Sequence, residues 1–234
     1  MKIKKVALFG DSILKGVVLD DNNRYCFSKA LDWERVENAF GVSIINKSRF
    51  GCEITKGQRI VNDFLLAGSD VDVAVLEYGG NDSDFAWGDV AASPFAVHRS
   101  RTGLVDFQQK LRTVVWQLQS KGIRVIMMSL PPLDAERYLD WISRGDEQRK
   151  DSIMSFLGDV SRIYRYQEIY SNAVTKIALE NGCEFVDVRQ EFLQSDSFRD
   201  LMCADGIHPN EKGQKVIIDA FLARYGDTAL AKAN

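Results

Sequence analysis

Short apolar runs alternate along the chain with longer stretches in which apolar residues recur at helical spacing. The runs predict strands buried on both faces, because such strands are apolar throughout rather than alternating; they cover residues 3–9, 42–45, 71–78, 123–130 and 184–188. The longer stretches predict helices over residues 27–40, 56–67, 104–120, 146–180 and 210–225. Strands and helices in alternation predict a doubly wound α/β fold with a parallel sheet.

Glycines mark the predicted ends of several helices. The residue that follows a helix often adopts a left-handed backbone conformation, which glycine tolerates without strain. We expect this role for glycines that come one or two positions after a predicted helix, namely Gly41, Gly122, Gly182 and Gly226.

Two connections, residues 83–102 and 131–145, are longer than a minimal crossover needs. Both follow the carboxyl end of a predicted strand, and ligands bind at that edge of open α/β sheets. Ligand pockets are often lined by aromatic side chains from such loops. The sequence therefore predicts substrate contact for Phe85, Trp87, Tyr138 and Trp141, and the alternative is that they are incidental aromatics on surface loops.

Composition narrows the class of protein. A chain of 234 residues fits one domain over residues 1–234, and 30 basic against 33 acidic residues give a net charge of −3. This balance argues against a nucleic-acid partner. No apolar stretch approaches the roughly 18 residues of a membrane span, and the first apolar run is too short for a signal peptide. We expect a cytoplasmic protein; its oligomeric state stays open.

The four cysteines show no C-x-x-C pair and no zinc-ligand spacing with histidine, so we expect no metal site. Without an export signal, reduced thiols are the expected state, although counting alone leaves a disulfide open.

Candidate chemistry begins with Ser12, which directly follows the first predicted strand. A serine hydroxyl needs a base to take its proton, and the base needs a carboxylate to hold its tautomer. The chain has 2 histidines, His98 and His208. Asp205 lies three positions before His208, in a loop that Pro209 keeps extended, whereas no acid lies close to His98. We predict Ser12 as nucleophile, His208 as base and Asp205 as the group that orients it.

An acyl-transfer site also needs preset donors for the oxyanion that forms on attack. The backbone N–H groups of Ser12 and Gly51 and the side-chain amide of Asn81 are the candidates. For the adjacent acids we expect supporting roles: a turn hydrogen bond from Asp11, and a brace for the Asn81 loop from Asp82.

Four segments, in this order along nearly the whole chain, resemble the conserved blocks of the SGNH, or GDSL-type, hydrolases: Phe9-Gly10-Asp11-Ser12, the region around Gly51, Gly79-Gly80-Asn81-Asp82 and Asp205-Gly206-Ile207-His208-Pro209. Ile13 stands where leucine is common, and the region around Gly51 is the loosest match. The resemblance implies a three-layer α/β/α sandwich, flavodoxin-like, with a central, mostly parallel five-stranded sheet. It also implies ester hydrolysis without metal or cofactor, the triad named above, and an oxyanion hole formed by Ser12, Gly51 and Asn81.

These patterns predict a serine esterase for small or moderately sized acyl esters. Candidate substrates are acetylated carbohydrates, short-chain or aryl esters, thioesters and lysophospholipids. A triglyceride lipase is less favoured, because the sequence shows no long apolar lid. The alternatives are an inactive carbohydrate- or lipid-binding module on the same fold, and an acyltransferase that uses the same triad. The G-x-S-x-G elbow of α/β-hydrolases does not fit, because residue 14 is leucine.

Overall fold

Five parallel strands form a central sheet in the spatial order β4-β1-β5-β6-β7, and two short antiparallel strands, β2 and β3, form a separate hairpin. The computed structural model describes residues 3–68 and 70–230, with side chains to residue 226. The strands are β1 (Lys5–Gly10), β2 (Val17–Leu19), β3 (Tyr25–Phe27), β4 (Ser43–Asn46), β5 (Val73–Glu77), β6 (Arg124–Met128) and β7 (Glu184–Val186).

Helices connect the strands and cover the sheet. They are α1 (Ser12–Lys15), α2 (Trp33–Phe40), α3 (Ile54–Leu66), α4 (Gly80–Ser83), α5 (Trp87–Ala92), α6 (Leu104–Gln119), α7 (Ala135–Ser143), α8 (Glu147–Leu157), α9 (Ser161–Glu180), α10 (Val188–Leu193) and α11 (Glu211–Leu230), with a 3₁₀ turn at Phe198–Leu201.

Two apolar cores lie on opposite faces of the sheet. Successive side chains of a strand point to opposite faces, so that Ala7 and Phe9 enter one core and Leu8 enters the other. Helices α3, α6 and α9 complete the first core, and α2, α10 and α11 complete the second. The predicted three-layer α/β/α sandwich with a central five-stranded sheet is confirmed.

A third apolar cluster lies apart from these two cores. Helices α5, α7 and α8 and the start of α9 contribute to it, with Phe85, Trp87, Tyr138, Leu139 and Ile153 among its buried members. The two long connections predicted at residues 83–102 and 131–145 therefore contain short helices, and their aromatic residues are mostly packed rather than free.

The predicted helix at residues 27–40 is wrong in its first part, because α2 begins at Trp33. Asp32 starts the helix by accepting a hydrogen bond from the Arg35 N–H at 3.0 Å. The preceding Tyr25–Phe27 segment is strand β3, and the Asp20 side chain holds its hairpin turn by accepting from the N–H of Arg24 at 2.9 Å. Helix α1, which follows β1, contacts both β1 and β2, so the hairpin lies close to the residues that follow β1.

The predicted single helix at residues 146–180 is also wrong, because the structure has two helices there. Helix α8 ends at Gly158, which has a φ of 71° that an α-helix does not contain. Gly41, Gly122 and Gly182 have positive φ as expected, but Gly226 does not end α11, which continues to Leu230. A glycine is tolerated inside a helix at a cost of about 1 kcal/mol relative to alanine, so its presence alone does not stop one.

Gly57 of α3 allows that helix to lie directly against the buried ring of Tyr78. A Cβ at position 57 would lie 2.5 Å from Cζ and 2.8 Å from the hydroxyl oxygen of Tyr78. Because Tyr78 is 1% exposed, the ring has little room to move. We expect Gly57→Ala to lower the free energy of unfolding by about 1–3 kcal/mol, the usual cost of overpacking a core. Denaturant-induced unfolding measures the change.

The matched control is Gly88→Ala. Gly88 also lies in a helix, but a Cβ there meets no atom within 4 Å. Removing an exposed helical glycine is expected to raise stability by up to about 1 kcal/mol. Equal effects of the two substitutions would contradict the proposed close contact between α3 and Tyr78.

Candidate active site

Ser12, His208 and Asp205 lie in one hydrogen-bonded row, although 196 positions separate the first two. The His208 Nε2 atom is 2.8 Å from the Ser12 hydroxyl oxygen, and its Nδ1 atom is 2.6 Å from the Asp205 Oδ2 atom. All three side chains are nearly inaccessible, with exposures of 6%, 3% and 0% respectively. The arrangement can pass a proton from a serine hydroxyl to an imidazole whose other nitrogen is held by a carboxylate.

The end of β1 presents the serine. Asp11 follows the strand and begins α1, accepting a hydrogen bond from the Ile13 N–H at 2.9 Å. This is the turn hydrogen bond expected for Asp11. Position 10, immediately before Asp11, needs a glycine, because a Cβ there would lie 2.9 Å from the carbonyl oxygen of Glu77 on the neighbouring strand.

The loop before α11 presents the histidine in a fixed direction. The Asp205 Oδ1 atom accepts from the N–H groups of Ile207 and His208, both at 3.1 Å, while Oδ2 holds the imidazole. Gly206, with a φ of 75°, makes the tight turn between them. The backbone N–H of Cys203 donates to the carbonyl of His208 at 2.8 Å and closes the loop.

Gly51 and Asn81, the two further oxyanion-hole candidates, line the same cavity as Ser12. Gly51 has a φ of 63°, in the connection between β4 and α3, and Asn81 lies in α4 after β5. The Asn81 Nδ2 atom donates to the Asp11 Oδ2 atom at 2.7 Å. A primary amide carries two N–H groups, so the second N–H of Asn81 is left for a ligand. The role of Gly51 and Asn81 as oxyanion donors stays a prediction.

Asp82 ties the Asn81 segment to the start of α3, as expected of a brace. Its two carboxylate oxygens accept from the Ile54 N–H at 3.0 and 3.2 Å. Burial raises the pKa of Asp82 to about 7, while hydrogen bonds from Thr102 and Ile54 act in the opposite direction.

The cavity beside Ser12 has a volume of about 570 Å³, within the usual range of small-molecule sites. Phe85, Trp87 and Tyr138 lie in its wall. Asp84 fixes two of these rings, because its Oδ1 atom accepts from Trp87 Nε1 at 2.7 Å and from the Tyr138 hydroxyl at 2.8 Å. Three of the four predicted substrate-contacting aromatics are therefore placed where they can meet a ligand.

Trp141, the fourth predicted aromatic, is not in the wall of this cavity. Its ring packs against Tyr25 of the hairpin, with ring centroids 6.2 Å apart. Trp141 is partly buried, because it packs both against the third apolar cluster and against Tyr25 of β3.

Tyr25 and Phe50 flank His208, and the sequence did not predict either contact. The Tyr25 ring meets the imidazole edge-on at 5.3 Å, and the Phe50 ring stacks on it at 6.2 Å. Burial, and next the negative charge of Asp205, raise the pKa of Tyr25 to about 12. The position of Phe50 beside Gly51 was the available signal. Tyr25 had none, because the sequence predicts no helix or strand at that position.

His98, the other histidine, lies outside the cavity wall. Its Nε2 atom is 2.8 Å from the carbonyl oxygen of Ser93, and its ring packs edge-on against Phe156. It therefore has a local structural partner and no contact with Ser12.

Within residues 3–68 and 70–230, no group of three or more His, Cys, Asp and Glu side chains is arranged to hold a metal ion. The four cysteines, all in that part of the chain, are free thiols. Over the same residues, none of the helices has the length and apolar character needed to cross a bilayer.

Comparisons with known proteins give a consistent picture. The sequence model described as the GDSL-like Lipase/Acylhydrolase family matches residues 8–216. A GDSL esterase/lipase of Arabidopsis thaliana is 24% identical over 76% of this chain, which matches 64% of that protein's length. The isoamyl acetate-hydrolyzing esterase of Saccharomyces cerevisiae is 26% identical, and the match covers 95% of this chain and 86% of that protein's length. The crystal structure of a lipase/acylhydrolase from Enterococcus faecalis has the same fold, with a TM-score of 0.67, 19% identity and 95% of each chain covered.

The loop that carries His208 depends on glycine at position 206 for two reasons, its positive φ and its contact with α7. A Cβ there would lie 2.5 Å from the carbonyl oxygen of Asp134 and 2.7 Å from the N atom of Tyr138. We expect Gly206→Ala to displace the loop and to lower the free energy of unfolding by about 2–5 kcal/mol, the sum of conformational strain and overpacking. The low-field imidazole N–H resonance of His208, measured by proton NMR, should disappear with it.

Gly122→Ala is the control, because Gly122 also has a φ of 75° but a Cβ there meets nothing within 4 Å. It should lose only the strain contribution of about 1–2 kcal/mol and keep the imidazole resonance. If Gly206→Ala matched the control in both measurements, the contact with α7 would have no part in holding the loop.

Proposed function

Because the chain belongs to the GDSL-like lipase/acylhydrolase family, a family of carboxylic ester hydrolases, we propose that it is a serine esterase that forms an acyl-enzyme on Ser12. One observation carries the proposal: His208 bridges the Ser12 hydroxyl and the Asp205 carboxylate through its two ring nitrogens. A catalytic base needs both contacts, one to the nucleophile and one that holds its tautomer.

In the first half of the reaction, the Ser12 oxygen attacks the ester carbonyl carbon while His208 Nε2 takes the hydroxyl proton. Asp205 holds the Nδ1 proton and stabilises the imidazolium that forms. The carbonyl oxygen becomes an oxyanion, which accepts hydrogen bonds from the backbone N–H groups of Ser12 and Gly51 and from the free N–H of Asn81. When the tetrahedral intermediate collapses, the bond to the alcohol oxygen breaks and His208 donates its proton to the leaving alcohol.

In the second half, water occupies the place of the alcohol. His208 removes a proton from this water as its oxygen attacks the acyl carbon, and a second tetrahedral intermediate forms. Its collapse breaks the bond to Ser12, whose oxygen recovers the proton from His208, and the carboxylic acid leaves. The reaction needs no group beyond those of the chain and the water.

The cavity wall supports small or moderately sized esters as substrates. Aromatic rings line the cavity, and Arg101, Arg144 and Gln167 are also in its wall. A long acyl chain would lie against these polar groups and would lose the benefit of apolar burial. The yeast relative acts on isoamyl acetate, a small acetate ester, which is in line with a short acyl group. Acetylated carbohydrates are a second class that fits, because aromatic rings and polar side chains together can bind sugars.

The two histidines offer a matched test of the mechanism with p-nitrophenyl acetate as substrate. We expect His208→Asn to lower kcat by about 10,000-fold or more, the effect of losing a triad base. His98→Asn should leave the rate nearly unchanged, because His98 has no contact with Ser12. Ser12→Ala should be as inactive as His208→Asn. Activity equal to that of the parental protein in Ser12→Ala would favour a binding module on a retired hydrolase fold instead.

A panel of p-nitrophenyl esters from acetate through butyrate and octanoate to palmitate tests the substrate size. We expect kcat/KM to be highest for the shortest acyl groups and to fall towards palmitate, because of the polar side chains in the cavity wall. Product analysis in the presence of an added alcohol separates hydrolysis from transfer. A rise of kcat/KM with chain length would refute the size assignment, and a predominantly transesterified product would support an acyltransferase.

A further inference from the structure

Two acidic side chains are buried against each other directly behind the serine. Glu77 is the last residue of β5 and Asp11 follows the last residue of β1, and the two strands are paired in the sheet. Glu77 is 1% and Asp11 is 2% exposed. The Asp11 N–H donates to the Glu77 Oε2 atom at 3.3 Å, so the two buried carboxyl groups lie close to each other. The mechanism above uses neither of them.

Two carboxylates in contact in a buried site do not both ionise, because like charges repel strongly where water is excluded. Among the described residues, no ion pair includes Glu77 or Asp11. One of the two therefore keeps a proton, which it can donate to the other carboxyl group. The position of that proton determines which group is the anion.

The surrounding donors favour Asp11 as the anion. Its Oδ1 atom accepts from the Ile13 N–H at 2.9 Å, and its Oδ2 atom accepts from Asn81 Nδ2 at 2.7 Å. The backbone donor that Glu77 has is the more distant one, from Asp11 at 3.3 Å. Short hydrogen bonds from N–H groups stabilise an ionised carboxylate, so the proton belongs on Glu77.

The other titratable groups around the pair do not change the assignment of the proton to Glu77 and of the negative charge to Asp11. Burial raises the pKa of Glu77 well above its ordinary value, and the charges of Asp11 and Asp82 raise it further. Burial raises the pKa of Asp11 as well, but the hydrogen bonds from Ile13 and Asn81 and the nearby His208 act in the opposite direction. Cys52 and Tyr78 also lie near the pair, and burial together with the charges of these acids raises the pKa of both.

We propose that Glu77 is a positioning residue, whose protonated carboxyl donates to Asp11 so that the Asp11 carboxylate holds the Asn81 amide in place. The inference rests on the proposed function, in which the second N–H of Asn81 meets the oxyanion. Holding one N–H of a planar amide also fixes the direction of the other. Glu77 thus acts on the reaction through two intervening side chains and does not touch the substrate.

Glu77→Gln and Glu77→Leu separate positioning from packing. Both replace the acid by a side chain of similar size, but glutamine keeps a donor for Asp11 and leucine does not. With p-nitrophenyl acetate, we expect Glu77→Gln to lower kcat by less than about threefold and Glu77→Leu to lower it by about 10- to 100-fold, a partial loss of one oxyanion donor. KM should stay within about twofold in both, since the lost interaction acts in the transition state. Equal losses in the two variants would overturn the proposal.

A measurement without substrate tests the proton itself. Protein grown with glutamate labelled with ¹³C at the side-chain carboxyl should contain one resonance that is missing in Glu77→Gln. This resonance should have the shift of a protonated acid at pH 7, whereas exposed glutamates titrate near pH 4.3. A Glu77 resonance in the ionised position at pH 7 would overturn the proposal, even if Glu77→Leu failed to fold. Because no ester is involved, this result stands apart from any failure of the proposed esterase activity, which Ser12→Ala reports.

Discussion

One carboxylate, that of Asp205, holds both the backbone and the side chain of the candidate base. Its Oδ1 atom accepts two backbone N–H groups of its own loop, and its Oδ2 atom accepts the imidazole. A fully buried charge is costly unless several donors satisfy it, so loop conformation and imidazole direction are determined together. The distance from His208 to Ser12 depends on this coupling, because a loop that moved would take the imidazole away from the hydroxyl.

The parallel sheet brings the other half of the site to the same place. Carboxyl ends of parallel strands share one edge, so Ser12 after β1, Gly51 after β4 and Asn81 after β5 border one cavity. The same geometry also brings the two acids Asp11 and Glu77 together, which places negative charge close to Ser12. A negative charge near Ser12 favours the imidazolium of His208 but opposes the oxyanion. A shared proton keeps the charge at one unit, and the Asn81 amide donates to one oxygen of the Asp11 carboxylate.

The sequence predicted the sheet, its five strands and the three residues of the hydrogen-bonded row, Ser12, His208 and Asp205, because these depend on local patterns and on a resemblance spread over four segments. It did not predict the hairpin at Tyr25–Phe27 or the break at Gly158. The strand Tyr25–Phe27 is short and follows polar residues, so its sequence resembles the start of a helix. A glycine inside an amphipathic stretch ends the helix at Gly158 but not at Gly226. Gly158 has a positive φ and follows the end of α8, whereas Gly226 lies inside α11, and the residue type alone does not distinguish the two.

Contacts between distant segments explain why the sequence predicted neither the contact of Tyr25 with His208 nor the packing of Trp141 against Tyr25. Their rings meet each other, and the Tyr25 ring meets His208. Tyr25 and Phe50 are 44% and 52% exposed, while His208 beneath them is 3% exposed. These rings therefore shield the imidazole from solvent and leave the cavity as the approach to His208 Nε2. In the proposed mechanism, the alcohol then leaves and the water enters by one route and through one position. Hydrolysis or acyl transfer would depend on which hydroxyl, that of water or that of an alcohol, occupies that position after the acyl-enzyme forms, and the polar side chains in the cavity wall favour water.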